Sequence, residues 1–299
     1  MEPPEQTSRF IRKGQGSLRR CHRLYATGVT LIAGVLAYGA PAEASQWRWT
    51  AALETARPTG WVQVRENDIE GTRLSFRDDL GIRRRNGLRL DTFKTMSPKA
   101  EWQLSVATYT LDATTTISAP ITFNGATIAP GPLRTATHYT HFLEFDGSYR
   151  HRFLTFGERG GLWGSVGGTF MLLNFTLHGN PAPGSEGKET NETFYVQELP
   201  VPVLGLHLSY PLGPAWSLTS SGTIGGLPRV NSLRHEGGVV RLKQTNNAFS
   251  LGASVRRPHW EVSLSAFTRA YVQDEQSHED SNVIHLRDRG LAVGLSHMF

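Results

Sequence analysis

Leu291-Ala-Val-Gly-Leu-Ser-His-Met-Phe299 closes the chain, and its pattern decides how the rest is read. Leu291, Val293, Leu295 and Phe299 fall on one face of an extended segment, while Ala292, Gly294, Ser296 and Met298 fall on the other, because strand side chains alternate. His297 is the polar exception on the first face. The same period of two returns at Trp47, Trp49, Ala51 and Leu53 against Arg48, Thr50, Ala52 and Glu54. A strand pattern at both ends of the mature region argues for an all-β fold.

Working inward, the alternation predicts strands over 86–96, 101–114, 134–155, 162–177, 193–210, 215–226, 238–255, 260–273 and 284–299. Short turns at 97–100, 156–161, 211–214 and 256–259 alternate with longer polar segments at 115–133, 178–192, 226–236 and 274–283. A Trp follows each short turn: Trp102, Trp163, Trp216 and Trp260, with Trp47 at the start of the first strand. Trp favours a membrane–water boundary, where one end of the ring system stays apolar and the indole N–H finds a partner. With Phe299, these residues are read as an interfacial girdle. Residues 57–85 break the regularity. Trp61–Arg65 and Thr72–Phe76 each alternate, which fits an external hairpin, a segment folded into a barrel mouth, or two further crossings.

Composition narrows the class. Of 299 residues 38% are hydrophobic, too few for a bundle of membrane helices. The single Cys excludes an internal disulfide framework and any multi-Cys metal site. The formal charge of +5 draws heavily on residues 1–44, where six Arg or Lys stand against three Glu. The remainder is nearly balanced and lacks basic runs with interleaved aromatics, so nucleic acid is excluded as a partner. Residues 9–23 are basic, Leu24–Ala40 is apolar, and Ala42-Glu-Ala44 supplies the small residues a signal peptidase reads. Residues 1–44 are therefore expected to be a signal peptide cleaved after Ala44, with residues 45–299 as the mature domain. Cys21 leaves with the signal.

The signal segment, the terminal Phe strand, the turn-length alternation and the Trp placement together resemble the small outer-membrane β-barrel proteins of Gram-negative bacteria. The resemblance covers residues 45–299 and matches no particular subfamily. It implies a transmembrane antiparallel up-and-down β-barrel in the cell outer membrane, with short periplasmic turns and long extracellular loops. Counting upward and downward strands gives ten, or twelve if residues 61–76 cross twice more. It also implies outer-membrane lipid and lipopolysaccharide as surroundings, and the barrel-assembly machinery as the partner that reads Phe299. No cofactor and no metal site are expected. A non-catalytic structural or surface protein is the leading functional expectation. The alternatives are a narrow, porin-like channel or transporter for small solutes, and an outer-membrane enzyme acting on lipid A or peptide.

The residues expected to line the lumen are Arg48, Glu54, Arg89, Asp91, Glu144, Asp146, Arg150, Glu261, Arg269 and Asp288. Both signs are mixed, which predicts a salt-bridged filling of the lumen rather than the one-signed ring of a selective pore. His207 and Ser209 share a strand face, similar to the His and Ser of outer-membrane lipid A deacylases, with no carboxylate placed to orient the His. Asp78-Asp79 and the run from Asp274 to Asp280, with His278, place carboxylates at the outer mouth without spaced ligand motifs. His138 and His141 stand three apart and cannot share a strand face. Pro200-Val-Pro202 lies inside a predicted strand, where missing N–H donors call for a bulge or kink.

Overall fold

The computed structural model describes residues 46–137, 142–157, 160–188, 190–193, 200–235, 239–278 and 280–299. The expected signal segment and the pair His138 and His141 lie outside the described residues. Ten long strands make the wall: β1 Trp47–Arg65, β2 Arg85–Ser97, β3 Ala100–Thr110, β4 Phe142–Phe156, β5 Gly160–His178, β6 Val201–Pro211, β7 Trp216–His235, β8 Val239–Arg256, β9 Trp260–Gln276 and β10 Ser281–Met298. Each pairs antiparallel with its neighbours in sequence, and β10 pairs with β1 from Arg48↔Met298 to Arg65↔Ser281. The sheet is closed, so the wall has no free edge to template association.

The burial pattern is inside out. Large apolar side chains are exposed on the outer face: Leu53, Leu90, Leu104, Val166, Leu206, Ile224, Leu251, Leu264 and Val293. Charged and hydroxylic residues point inward, with Glu54, Glu144 and Asp288 buried. Water as outer solvent would make that arrangement unstable, whereas a hydrocarbon solvent demands it. On β1 eight residue steps carry the chain from Trp49 to outward-facing Arg57, roughly 26 Å along the strand. The nine residues Trp49 to Arg57 match the lower end of the about 9–11 that a tilted transmembrane strand needs.

At the other end of the barrel, long connections fold back over the mouth. β1 runs on to Arg65, and Leu74–Ser75 pairs back onto Trp61 and Val62. Residues 66–84 therefore do not cross the wall, and the strand number is ten. The turn at Glu66–Ile69 holds Asn67 and Asp68 at positive φ. Between β3 and β4 the chain adds Ala113–Ile117 and Gly131–Ala136, which extend the sheet beyond β5, and a hairpin of Ile121–Phe123 with Ala126–Ile128. Asn124 and Gly125 turn that hairpin at φ 52° and 68°, the left-handed pair a two-residue turn requires.

These segments carry the apolar core. Leu74, Phe76, Leu80, Ile82, Ile117, Ile121, Phe123, Ile128 and Leu133 pack against inward residues of the wall, among them Val62, Val64, Tyr109, Phe142, Leu173, Ile284 and Leu286. Of the three readings of residues 57–85, the segment folded into the mouth is the one the structure adopts.

One other expectation is corrected. β7 reaches His235 and β8 starts at Val239, so residues 226–235 continue a ladder instead of forming a loop. Residues 194–199, where the bulge or kink expected at Pro200-Val-Pro202 would begin, lie outside the described residues. β6 starts at Val201, and its ladder to β5 ends at the Thr169↔Val201 pair.

Candidate functional site

The lumen gathers the residues singled out from sequence, in two layers. The upper layer lies just beneath the apolar cap. Glu54 on β1 accepts two hydrogen bonds at 2.8 Å from the Arg269 guanidinium, and Arg85 and Arg89 stand 3.9 and 3.4 Å away. Arg89 on β2 also reaches Glu144 at 2.5 Å and Asp146 at 2.9 Å on β4. Arg85 holds Asp288 at 2.9 Å and lies 3.8 Å over the Tyr109 ring. The Tyr109 hydroxyl accepts from Arg269 at 2.7 Å, and its ring packs on Phe142 at 4.9 Å, so this residue joins the charged layer to the cap. Strand alternation explains the convergence, because every member occupies the inward parity of its strand. Charges buried to this degree persist only when each finds several partners.

The lower layer is more open. Asp91 accepts hydrogen bonds from Gln103 at 3.1 Å and Ser105 at 2.5 Å. Arg150 bonds Glu101 at 3.4 Å, and Arg256 bonds Glu261 at 3.0 Å. The guanidiniums of Arg48 and Arg150 lie 4.0 and 5.1 Å from the centre of the Phe93 ring.

Charge is unevenly distributed around the bore. The residues just named come from β1–β4 and β8–β10. Apart from Trp163, His207 and Arg256, the inner faces of β5–β8 along the cavities are mostly small or hydroxylic: Ser165, Gly167, Gly205, Ser217, Ser221, Thr223, Ser250 and Gly252. Two cavities of about 310 and 320 Å³ lie against this small-residue wall and share Asp91, Arg150, His207, Ser221 and Ser250.

His207 faces this space. Its Nε2 shares a hydrogen bond of 2.9 Å with Ser165 Oγ on β5, a partner that sequence spacing did not suggest. Gly205 makes the contact available, since a Cβ there would lie 2.4 Å from Ser165 Oγ. Ser209 lines the lower cavity. Among the described residues no carboxylate bonds to His207. At the mouth, Asp78 and Asp79 pair with Ser75 in a local turn, and Asp274 bonds Arg229 at 2.9 Å. Among the described residues no group of three or more His, Cys, Asp or Glu converges as a metal site would.

At the opposite rim Trp49, Trp102, Trp216 and Trp260 are exposed on the outer face, and Trp47 lies beside Lys94. Trp163 is placed differently. It lines the lower cavity on the inward face of β5, opposite His207 in the ladder. Parity decides this: Val166 is outward, so position 163 falls inside.

No protein-family model matches the sequence, and neither does any curated protein. Solved structures similar to it are bacterial outer-membrane barrels. The outer-membrane protease OmpT from Escherichia coli aligns with 84% of this chain and 97% of its own, at 13% identity and TM-score 0.45. The translocator domain of the autotransporter NalP from Neisseria meningitidis aligns over 95% and 98%, at 13% identity and TM-score 0.32. An outer-membrane channel from Pseudomonas putida F1 aligns over 88% and 100%, at 10% identity and TM-score 0.35. Closure, inverted polarity and belt height carry the assignment on their own. The chain is a closed, ten-stranded antiparallel β-barrel of the transmembrane kind. Residues missed from sequence were Arg85, Tyr109 and Ser165. Tyr109 and Ser165 occupy inward parity on strands already recognised, so alternation held their signal, whereas Arg85 lies one residue before the strand predicted at 86–96.

Proposed function

We propose that this barrel is a non-catalytic, non-conducting surface protein of the outer membrane, which displays a folded outer face instead of opening a pore. The supporting observation is the stacking of an apolar cap on a cross-linked charged layer. Phe76, Leu80 and Phe123 occupy the mouth, and the Glu54–Arg269–Tyr109 and Arg89–Glu144 contacts span the bore beneath them. On this reading the chain enters the Gram-negative envelope after cleavage at Ala44. Its Phe299 strand is read by the assembly machinery, and lipopolysaccharide surrounds it. Recording purified protein in planar bilayers tests the proposal: a quiet baseline is expected, and steady open-channel steps overturn it.

The two cavities along the small-residue wall favour a second reading, a narrow path for small polar solutes. Liposome swelling with small sugars separates the two, since faster swelling than in empty vesicles supports the path. Hydrolysis of lipid A draws least support, because Ser165 and His207 lack an orienting acid among the described residues. Lipid A acyl patterns are expected to be unchanged when the protein is produced.

A further inference from the structure

Arg57 on β1 and Arg289 on β10 are direct ladder partners on the outer face of the wall. Arg287 follows on the same face, opposite Thr59, whose hydroxyl donates to the Arg287 carbonyl at 3.3 Å. All three side chains are exposed, and the residues alternating with them, Ala56, Pro58, Leu286 and Asp288, are buried. Like charges placed directly opposite each other across two strands are destabilising. Here a third adds to them within two ladder steps.

Neutralising groups are not at hand. Outward-facing neighbours on the flanking strands are Asn86, Thr268, Ala270 and Val272. Asp274, further along β9, is engaged by Arg229. The acids behind the cluster, Glu54 and Asp288, face the lumen and hold Arg269 and Arg85. Among the described residues none of the three arginines has an ion-pair partner. Arg73 adds a fourth guanidinium close by, 3.9 Å over the Trp61 ring, and that ring stacks on His285 at 4.5 Å.

Height completes the argument. Leu53 and Leu291 are the last apolar side chains of the belt on β1 and β10, and the arginines begin within four residues of them. This boundary lies at the end of the barrel opposite the Trp rim, beside the capped mouth. It is the level at which the outer leaflet presents its phosphorylated headgroups. A local rule broken without internal compensation marks a functional site. A planar guanidinium pairs with phosphate through two parallel hydrogen bonds.

We infer that Arg57, Arg287 and Arg289 form a binding site for the phosphate groups of outer-leaflet lipid, with Arg73 and Trp61 at its upper edge. The site holds the lipid against β1 and β10, the seam where the two ends of the chain meet. It is independent of whether the lumen conducts.

Native mass spectrometry of the detergent-purified protein tests this, with bisphosphorylated lipid A, its fully dephosphorylated form and inorganic phosphate as probes. Bisphosphorylated lipid A is expected to remain bound, and the dephosphorylated form about tenfold less or lower. Inorganic phosphate at millimolar concentration is expected not to displace it. The triple variant Arg57→Gln, Arg287→Gln, Arg289→Gln is expected to lose retention to the same degree while keeping its heat-modifiable gel mobility. A control triple of equal charge change away from the site, Arg77→Gln, Lys99→Gln, Arg257→Gln, is expected to bind as the native chain does. Equal retention of both lipid forms overturns the site. So does undiminished binding by the folded arginine variant, or parallel loss in the control. Displacement by inorganic phosphate overturns the assignment to lipid.

Discussion

The backbone amide of Phe299 donates a hydrogen bond to the carbonyl of Trp47 at 3.0 Å, joining the last residue of the chain to the first residue of its first strand. Next to it, Met298 N donates to His259 O at 3.0 Å, and the His297 ring lies 4.3 Å from Phe299 and 4.4 Å from Trp260. His297 thus belongs to the rim as an aromatic. Removing Phe299 takes away the last closing bond and the outermost ring of this cluster. Its deletion is expected to cut the heat-modifiable, folded fraction in outer-membrane preparations severely. A deletion within the exposed residues 186–188 should leave that fraction near the native level.

Glu54 is the hub of the upper layer, with three arginines within 4 Å. Glu54→Gln keeps the volume and removes the charge, leaving Arg269 without its two-pronged partner. The loss should be about 3–5 kcal/mol, the usual cost of orphaning one side of a buried pair. Urea unfolding in lipid vesicles, followed by Trp fluorescence, measures it. Arg256→Gln, at a more exposed pair near the rim, should cost about 1 kcal/mol or less.

Phe76 is fully buried in the cap. Phe76→Ala leaves a void where an aromatic ring stood, at a cost of about 3–5 kcal/mol to the cap's packing. The wall does not depend on this residue for its ladders, so the effect should be local. Protease added outside intact cells should cut within residues 66–84 much faster in the variant, with the barrel still folded on gels. Unchanged resistance would mean that the cap does not act as a packed unit.

Gly125 turns the hairpin 121–128 at φ 68°, and a Cβ there would lie 3.1 Å from Glu66 Cγ. Gly125→Ala should destabilise the hairpin by about 1 kcal/mol, the usual penalty for a left-handed non-glycine position. Faster amide exchange across residues 121–128, with the wall amides unchanged, is the expected readout.

Alternation made the wall legible before any coordinates, because a bilayer outside and a polar bore inside impose opposite chemistries on successive residues. Arg89, Asp91, Glu144 and Arg269 sit on the faces that parity assigns to them. Trp163 shows where a second cue misled: its nearness to a short turn suggested the rim, but parity with Ser165 sends it inward. The cap was not legible. Leu74, Phe76, Leu80 and Ile82 pack through irregular backbone, which has no period, so nothing in their spacing distinguishes a mouth-filling loop from further crossings. The Ser165–His207 contact was hidden for another reason. It joins neighbouring strands, and its position depends on the register between β5 and β6, which a single sequence does not state.

The small-residue wall of β5–β8 makes the bore eccentric. Were the cap lost through mutation or cleavage, any water column would form off-axis, against the serines and glycines, where least side-chain volume stands in the way. It would pass Asp91 and Arg150, one acid and one base, which line both cavities. Acids and bases are balanced along both cavities, with Arg89, Glu144, Asp146 and Arg269 lining one and Arg48, Glu101, Arg256 and Glu261 the other. Neutralising Asp91, which borders both cavities, would tilt that balance toward anions, and neutralising Arg150 would tilt it toward cations, with the rest of the barrel unaltered.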